Sequence, residues 1–399
     1  MVPLYHIELL LDLLKLVDRA GRVALLLRLL GIKIVVPGSF FCHLNLISVP
    51  LTLYMMRLAK IEEYLQTILP EKVNKYWKDS VMGPAVVKDD FLNQINAPAR
   101  DLLMRGGKRW RPLLMMLFYN LYRSDDDILP LTPLVELPHN GSLIIDDIED
   151  SSDFRRGKPA VHILYGTDLA INTGNFLYFL PHICVDSSNF PDDIKLAAYR
   201  YYNESVTKLH IGQGLDILWH RDKDYIPSVD EYMTMCSFKT GGLAQLCGRL
   251  GVRAGGGSEE TAFAMGEACK QMGVGFQILD DVTNLTTGNP GKKRGDDIVE
   301  GKKSLPVILC SHMGGDMTRL KEIFAYAGEH GIEKAGDAVE EAIALIQATG
   351  AIEKAKARAL SILEESRSTI TCSYPASPVL EEISALFDSF LKPRKGENR

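Results

Sequence analysis

The chain has 399 residues, 46% of them hydrophobic and 24% charged, with a net charge of −6 at neutral pH. This length is enough for one large domain or two ordinary ones, and the mildly acidic balance argues against nucleic acid as a partner, which requires a basic face. The seven cysteines are scattered, without Cys-x-x-Cys or Cys/His spacing, so we expect no zinc site and no disulfide framework, but reduced thiols in a cytoplasmic protein.

The N-terminal region differs from the rest of the chain. Residues 4–31 are rich in leucine, and an apolar run interrupted by proline, glycine and asparagine follows them. Three interpretations are open: a membrane-surface segment, which would make the protein membrane-associated, an added helical layer, or an over-long translation start with Met55 or Met56 as the true first residue. We favour the last, and we treat 1–56 as an extension set apart from a main domain, 57–399.

Helical periodicity dominates the main domain, and the period-two alternation of strands is hard to find in it. The clearest predicted helix lies near the C-terminus, where Ser377 suits the N-cap, Pro378 suits the first turn, and the apolar residues of 379–390 fall on one face. Segment 161–183 predicts another, buried helix. Because no long linker and no internal repeat interrupts the pattern, the sequence predicts one large all-α domain.

Two acidic clusters are the most informative feature of the chain. Residues 146–150 and 280–284 each follow an apolar stretch, and crowded carboxylates beside an apolar wall are costly, because like charges repel and burial disfavours each charge. On a helix, Asp146 and Asp150 share a face. Hard divalent cations such as Mg²⁺ take oxygen ligands from carboxylates, phosphates and water. The clusters therefore predict Mg²⁺ between two acidic walls, with a phosphorylated substrate completing the coordination.

Cationic residues accompany the acidic clusters. Arg155 and Arg156 closely follow the first cluster, and the guanidinium fork suits phosphate. Upstream, the segment 106–112 reads Gly-Gly-Lys-Arg-Trp-Arg-Pro, which lacks the spacing of a Walker loop but brings cations to a flexible turn. His139 and Gln277 lie on the predicted metal faces of their helices. Each signal is weak alone, but together they predict a diphosphate ligand, and further cations lie downstream at Lys239, Lys293 and Lys302.

Seven segments together resemble the trans-prenyl diphosphate synthases, the isoprenoid chain-lengthening family, over roughly residues 60–392. The match is closest to geranylgeranyl diphosphate synthases around the first acidic cluster and in 171–179. The resemblance implies an all-α helical bundle of the isoprenoid synthase type with a central substrate cavity, usually a homodimer. The seven segments, in family order, are 106–112, 143–150, 155–159, 212–216, 239–242, 277–281 and 296–303.

The same resemblance implies a role for individual residues. Isopentenyl diphosphate would be bound by Lys108, Arg111, His139 and Arg156. The allylic diphosphate would be bound by Arg155, Lys239, Thr240, Gln277, Lys293 and Lys302. Several Mg²⁺ ions would be bound by Asp146, Asp150 and Asp280, supported by Asp147 and Asp281. Asn284 stands where the second motif has its last aspartate.

The implied reaction is a Mg²⁺-dependent head-to-tail condensation of isopentenyl diphosphate with an allylic diphosphate. Gly141 and Ser142 are small and lie one turn before the first acids, so they would leave the product tunnel open, and its floor would come from Phe176, Phe179 or Tyr178. This predicts a C20 product. The alternatives are a farnesyl or longer polyprenyl product, a class I terpene cyclase, and a non-catalytic partner subunit. Two groups of cations argue against the cyclase, and the intact acids argue against the partner subunit.

Overall fold

The structure, a computed structural model, describes residues 41–288 and 293–391, with side chains from residue 53 onward. The chain divides into two compact units, with the boundary after Arg57. Most of the predicted extension, 1–56, lies outside the described residues, so its separate nature stays a prediction. No helix in the described ranges combines the length and the apolar character needed to cross a membrane.

Helices account for most of the described chain, as the sequence predicts. A short 3₁₀ turn covers Leu129–Leu131, and strands β1 (Phe154–Arg155) and β2 (Lys158–Pro159) pair antiparallel. The α-helices in chain order are α1 (Phe41–Ile68), α2 (Lys75–Met82), α3 (Asp89–Met104), α4 (Trp110–Asn120), α5 (Pro133–Glu149), α6 (Val161–Tyr165), α7 (Thr167–Phe179), α8 (His182–Ser187), α9 (Asp192–Arg221), α10 (Val229–Lys239), α11 (Gly241–Gly255), α12 (Glu259–Thr286), α13 (Asp296–Glu300), α14 (Leu305–His312), α15 (Met317–His330), α16 (Ile332–Ala348), α17 (Ala351–Cys372) and α18 (Pro378–Leu391).

The core is built around α11, which is buried along nearly its whole length and packs against α4, α9 and α12. Its glycines allow this close approach. A Cβ atom added at Gly251 would lie 2.6 Å from the backbone oxygen of Met115 in α4, closer than a side chain tolerates. The neighbouring helix α12 begins with an N-cap, because the side chain of Ser258 accepts a hydrogen bond from the backbone N–H of Thr261.

One predicted helix is confirmed and another is wrong in its extent. Helix α18 begins at Pro378, and Ser377 Oγ accepts a hydrogen bond of 3.2 Å from the backbone N–H of Leu380, as an N-cap does. Segment 161–183, predicted as one buried helix, instead forms α6, α7 and the start of α8. Gly166, with a φ of 89°, ends α6 in a backbone conformation that favours glycine.

Candidate active site

A cavity of about 470 Å³ lies between the helices that carry the acidic and cationic motifs. Its wall draws on α4, α5, α7, α9, α10, α12 and α13 and on the segments 107–109, 154–156 and 302–304. Side chains far apart in the sequence therefore meet at one site. The predicted site residues that line it are Lys108, Arg111, His139, Ser142, Asp146, Arg155, Arg156, Lys239, Thr240, Gln277, Asp280, Asp281 and Lys302.

The first acidic cluster lies at the C-terminal end of α5, where Asp150 is the C-cap. Asp147 is fully buried, and its Oδ1 accepts a hydrogen bond of 2.7 Å from Arg155 Nε. The same guanidinium reaches Asp146, with Nη2 3.4 Å from Oδ2. Arg155, which the resemblance assigns to the allylic diphosphate, is thus directed at the carboxylates of the first acidic cluster.

Gln213 of α9 connects two acids of this cluster. Its Nε2 donates to Asp146 Oδ1 at 3.0 Å and to Glu149 Oε2 at 2.7 Å. The segment 212–216 belongs to the family resemblance, but no local signal in it predicts a role for Gln213, because the acids that it contacts lie more than sixty residues away. Gln213 holds the two carboxylates in place and leaves the other oxygen atoms of Asp146 and Glu149 for different partners.

Lys239, the last residue of α10, lies between Asp146 and Asp216. Its Nζ donates to Asp216 Oδ2 at 2.6 Å and lies 3.6 Å from Asp146 Oδ1. Burial disfavours the charged form of Asp216, but the nearby ammonium groups of Lys239 and Lys302 outweigh it and lower the pKa of Asp216 below its ordinary value. Burial also disfavours the charged form of Lys239, but Asp216 and Asp146 outweigh it and raise the pKa of Lys239. Both groups are therefore ionised at neutral pH. Asp216 is a second site residue to which the sequence analysis gave no role.

Asp150 and Lys302 form a second buried contact between the motifs. Lys302 Nζ lies 3.1 Å from Asp150 Oδ2, and Lys302 also forms an ion pair with Glu300. Burial raises the pKa of Asp150 to about 6. The positive charge of Lys302 acts to lower this pKa, and the negative charge of Asp146 acts to raise it. An added cation nearby would favour the ionised form of this carboxyl group.

The second acidic cluster separates into two environments on α12. Asp280 and Asp281 both line the cavity, but Asp281 is buried and accepts hydrogen bonds from the Tyr232 hydroxyl at 2.6 Å and from Gln277 Nε2 at 3.0 Å. Burial raises the pKa of Asp281 to about 6. The other end of the Gln277 amide accepts from Thr240 Oγ1 at 2.8 Å. This chain of hydrogen bonds fixes the rotamers beside Asp280.

Asn284 lies one turn beyond Asp280, but it is fully buried and does not line the cavity. Its Oδ1 accepts a hydrogen bond of 3.3 Å from the backbone N–H of Asp297, and its backbone oxygen accepts one of 3.0 Å from Gly295. The side chain therefore attaches the start of α13 to α12.

We expect Asn284→Asp to lower the free energy of unfolding by about 1–3 kcal/mol, because it buries a carboxylate close to Asp297. Thermal unfolding measures the change as a lower Tm. The matched control is Gln271→Glu, which adds the same charge at an exposed position of α12 and should leave the Tm unchanged. An unchanged Tm with a higher apparent affinity for Mg²⁺ in Asn284→Asp would contradict this attachment role.

A separate group of cations lies at the α4 side of the cavity. Arg111 is buried, with its guanidinium carbon 4.3 Å from the centre of the Trp110 ring. Arg156 donates from Nη1 to Asn140 Oδ1 at 3.2 Å. Within the described ranges neither arginine forms an ion pair with a carboxylate. Burial, and to a smaller extent repulsion from the positive charges of Arg111 and Arg156, lowers the pKa of His139 well below its ordinary value. The imidazole is therefore neutral. The positive charge of this group is available to an anion.

The structure does not bring Gly141 to the cavity. A Cβ atom added there would lie 2.8 Å from the backbone oxygen of Gly174, so its small size allows α5 and α7 to pack closely. Phe176 packs outside the cavity, against the cluster that contains Trp77, and Phe179 is 69% exposed. Tyr178 is the aromatic residue of α7 that lines the cavity.

Lys293 also lies away from the cavity. Its ammonium forms an ion pair with Glu333 of α16, and its side chain is 56% exposed. The segment next to it, 289–292, is outside the described residues. A role of Lys293 in diphosphate binding stays a prediction.

The carboxylates of the cavity fit a divalent cation whose remaining ligands come from the phosphates of a bound substrate and from water. In the part of the chain that the structure describes, no group of three or more His, Cys, Asp or Glu side chains is arranged to hold a metal ion alone. Asp146 and Asp280 nevertheless line the same cavity, and carboxylate oxygens are ligands that Mg²⁺ prefers together with phosphates and water.

Comparisons with known proteins agree with this geometry. The family model "Polyprenyl synthetase" matches residues 92–343. The geranylgeranyl pyrophosphate synthase of Eremothecium gossypii is 35% identical over 232 residues, which cover 57% of this chain and 72% of that protein. That of Dictyostelium discoideum is 34% identical over 281 residues, which cover 70% and 87%. The crystal structure of geranylgeranyl pyrophosphate synthetase from Pyrococcus horikoshii matches with a TM-score of 0.75 at 26% identity, covering 86% of this chain and 98% of that one. The chain therefore belongs to the polyprenyl synthetase family, whose enzymes use a divalent metal ion, and it is a prenyltransferase of the isoprenoid synthase fold.

Proposed function

We propose that the protein makes geranylgeranyl diphosphate by head-to-tail condensation of isopentenyl diphosphate with an allylic diphosphate. One observation carries the proposal: the cavity has two separate groups of cations. Arg111 and Arg156 lie on the α4 side, and Lys239 and Lys302 lie among the carboxylates. Two such groups match two diphosphates, whereas a terpene cyclase binds one. The similarity to geranylgeranyl pyrophosphate synthases supports the C20 product.

Mg²⁺ is the divalent ion that we propose, with several ions in each active site. Asp146, Asp150 and Asp280 would hold them, and Asp147 and Asp281 would orient these ligands through their neighbours. When bound, the metal supplies positive charge that stabilises a departing diphosphate. The hydrogen bonds of Gln213 and Gln277 keep the carboxylates oriented before substrate arrives.

The residues of the chain would stabilise the negative charge of the leaving diphosphate and exclude water from the carbocation. Lys239, Lys302 and Arg155 would donate to the allylic diphosphate while its carbon–oxygen bond breaks, leaving an allylic carbocation. The double bond of isopentenyl diphosphate, held by Arg111 and Arg156, forms the new carbon–carbon bond, and the proton then lost goes to the departed diphosphate. No side-chain nucleophile is required. Apolar residues of the cavity keep water from the cation: Ile145, Leu209 and Phe276.

We further propose that Tyr178 limits the length of the product. Its side chain is 7% exposed and borders the cavity. Its backbone oxygen accepts a hydrogen bond from the Tyr202 hydroxyl, and its ring centre lies 4.8 Å from that of His210. A buried residue whose backbone and ring both contact α9 is a rigid floor, which suits a single dominant chain length.

Replacing Tyr178 with alanine should lengthen the product beyond C20, because it removes the ring that closes the cavity. Chromatography of the dephosphorylated products measures the change. Phe179→Ala is the control, since it removes a neighbouring ring that is 69% exposed, and it should leave the length unchanged. An unchanged product from Tyr178→Ala would show that the floor lies elsewhere.

We propose that the protein is a homodimer. Large apolar side chains on α7 and α9 are exposed in the single chain, and a second copy that covers them would remove this apolar surface from water. Light scattering coupled to gel filtration tests it, and a monomer mass would contradict it. Membrane contact through residues 1–56 stays a separate prediction. The exposed residues concerned are Ile171, Leu196, Ile211 and Leu218.

Product analysis with isopentenyl diphosphate, an allylic primer and Mg²⁺ tests the proposed reaction. Elongated prenyl diphosphate is the expected result. A cyclised hydrocarbon formed from the allylic diphosphate alone would favour the terpene cyclase instead.

A further inference from the structure

Three aromatic rings from distant parts of the chain meet beside the cavity. The ring centres of Trp110 in α4 and Phe276 in α12 are 5.8 Å apart, and Phe390 in α18 lies 5.6 Å from the first and 5.1 Å from the second. We call these three residues the ring cluster. Trp110 and Phe276 line the cavity, whereas Phe390 is buried behind them. The C-terminal helix, which carries no family motif, thus supports the cavity wall.

Two cations of the α4 side rest on this cluster. Lys108 Nζ lies 5.7 Å from the centre of the Phe276 ring, and the Arg111 guanidinium carbon lies 4.3 Å from the centre of the Trp110 ring. The face of an aromatic ring attracts a cation at such distances. Since Arg111 forms no ion pair with a carboxylate among the described residues, the orientation of its ring neighbour helps to set where the guanidinium lies.

Phe390 meets both other rings at steep angles, with interplanar angles of 76° to Trp110 and 70° to Phe276. Edge-to-face pairs of this kind fix the orientation of the rings as well as filling volume. A leucine in place of Phe390 would fill much of the same space but would not constrain the tilt of Trp110 and Phe276.

We propose that Phe390 is a positioning residue for isopentenyl diphosphate: by fixing Trp110 and Phe276, it sets where Lys108 and Arg111 present their charges. This inference rests on the proposed function, because it takes these two cations to be the isopentenyl diphosphate site. It gives the C-terminal helix a part in binding one substrate and none in binding the other.

The test compares Phe390→Leu with the wild-type enzyme in steady-state kinetics and in calorimetric titration with isopentenyl diphosphate. We expect KM and Kd for isopentenyl diphosphate to rise about five- to tenfold, with kcat and the KM for the allylic substrate unchanged. Phe390→Tyr, which keeps the ring, should restore the wild-type values. The control is Phe118→Leu, which removes a buried ring from α4 outside the ring cluster and should leave both KM values unchanged.

Equal Kd values for wild type and Phe390→Leu would overturn the inference. So would an equal rise in both KM values, or the same rise in Phe118→Leu, because either pattern indicates general loosening of the fold. Failure of the wild-type enzyme to bind isopentenyl diphosphate would instead overturn the proposed function, and with it the basis of this inference.

Discussion

Replacing Asp146 with asparagine should lower kcat/KM by roughly a thousandfold or more, the largest effect that we expect from a single substitution. Gln213, Arg155 and Lys239 all converge on this carboxylate. Asparagine keeps the shape but removes the charge, so it would weaken binding of the metal and misdirect the cations that act on the allylic diphosphate. Steady-state condensation assays with saturating Mg²⁺ measure the loss.

The matched control for this substitution is Asp153→Asn. Asp153 follows the first acidic cluster closely, but it is exposed and does not line the cavity, so the variant should retain wild-type activity. If Asp146→Asn kept more than about a tenth of the activity, the carboxylate would not be the metal ligand that we propose. If both variants turned over substrate only after a partner chain was added, the result would favour the alternative that this protein is a non-catalytic subunit.

Lys239→Gln should lower kcat about a hundredfold, because it removes a preorganised cation from the point where charge develops on the leaving diphosphate. The same change leaves Asp216 buried without its 2.6 Å partner, which destabilises the fold as well. The double variant Lys239→Gln/Asp216→Asn separates the two effects, since it removes both charges. We expect it to regain thermal stability while activity stays low.

The control for Lys239 is Lys208→Gln. Lys208 is a partly exposed lysine of α9 whose ion pair with Glu204 lies outside the cavity, and its loss should change neither kcat nor Tm appreciably. If the double variant recovered activity together with stability, Lys239 would be a structural residue and not a donor to the substrate.

The sequence predicted the fold class because helical periodicity and capping are local signals. It also predicted most of the charged residues that line the cavity, because the charged motifs are short and their neighbours in the chain are informative. The residue types alone do not separate two arginines of one motif, and only the family resemblance selects Arg111 over Arg109. Arg109 and Arg111 are two positions apart and both line the cavity, yet Arg109 forms ion pairs with Glu62 and Glu136, while Arg111 forms none among the described residues.

Long-range contacts explain most of what the sequence analysis missed. Gln213 and Asp216 lie in a recognised segment, but their partners Asp146 and Lys239 are known only from the packing of α9 against α5 and α10. On a helix, one residue is a rotation of about 100°, so choosing among Phe176, Tyr178 and Phe179 requires the orientation of α7. The small size of Gly141 predicts an open tunnel, whereas in the structure it allows the close contact with Gly174.

The most direct test of the proposed reaction is product analysis of the wild-type protein with Mg²⁺, isopentenyl diphosphate and, in parallel, dimethylallyl, geranyl or farnesyl diphosphate as primer. Parallel reactions with a chelator, or without isopentenyl diphosphate, are the controls. We predict geranylgeranyl diphosphate as the dominant product, formed only when both substrates and the metal are present. A dominant C15 product would contradict the proposed chain length, and the absence of any elongated product with every primer would contradict the condensation itself.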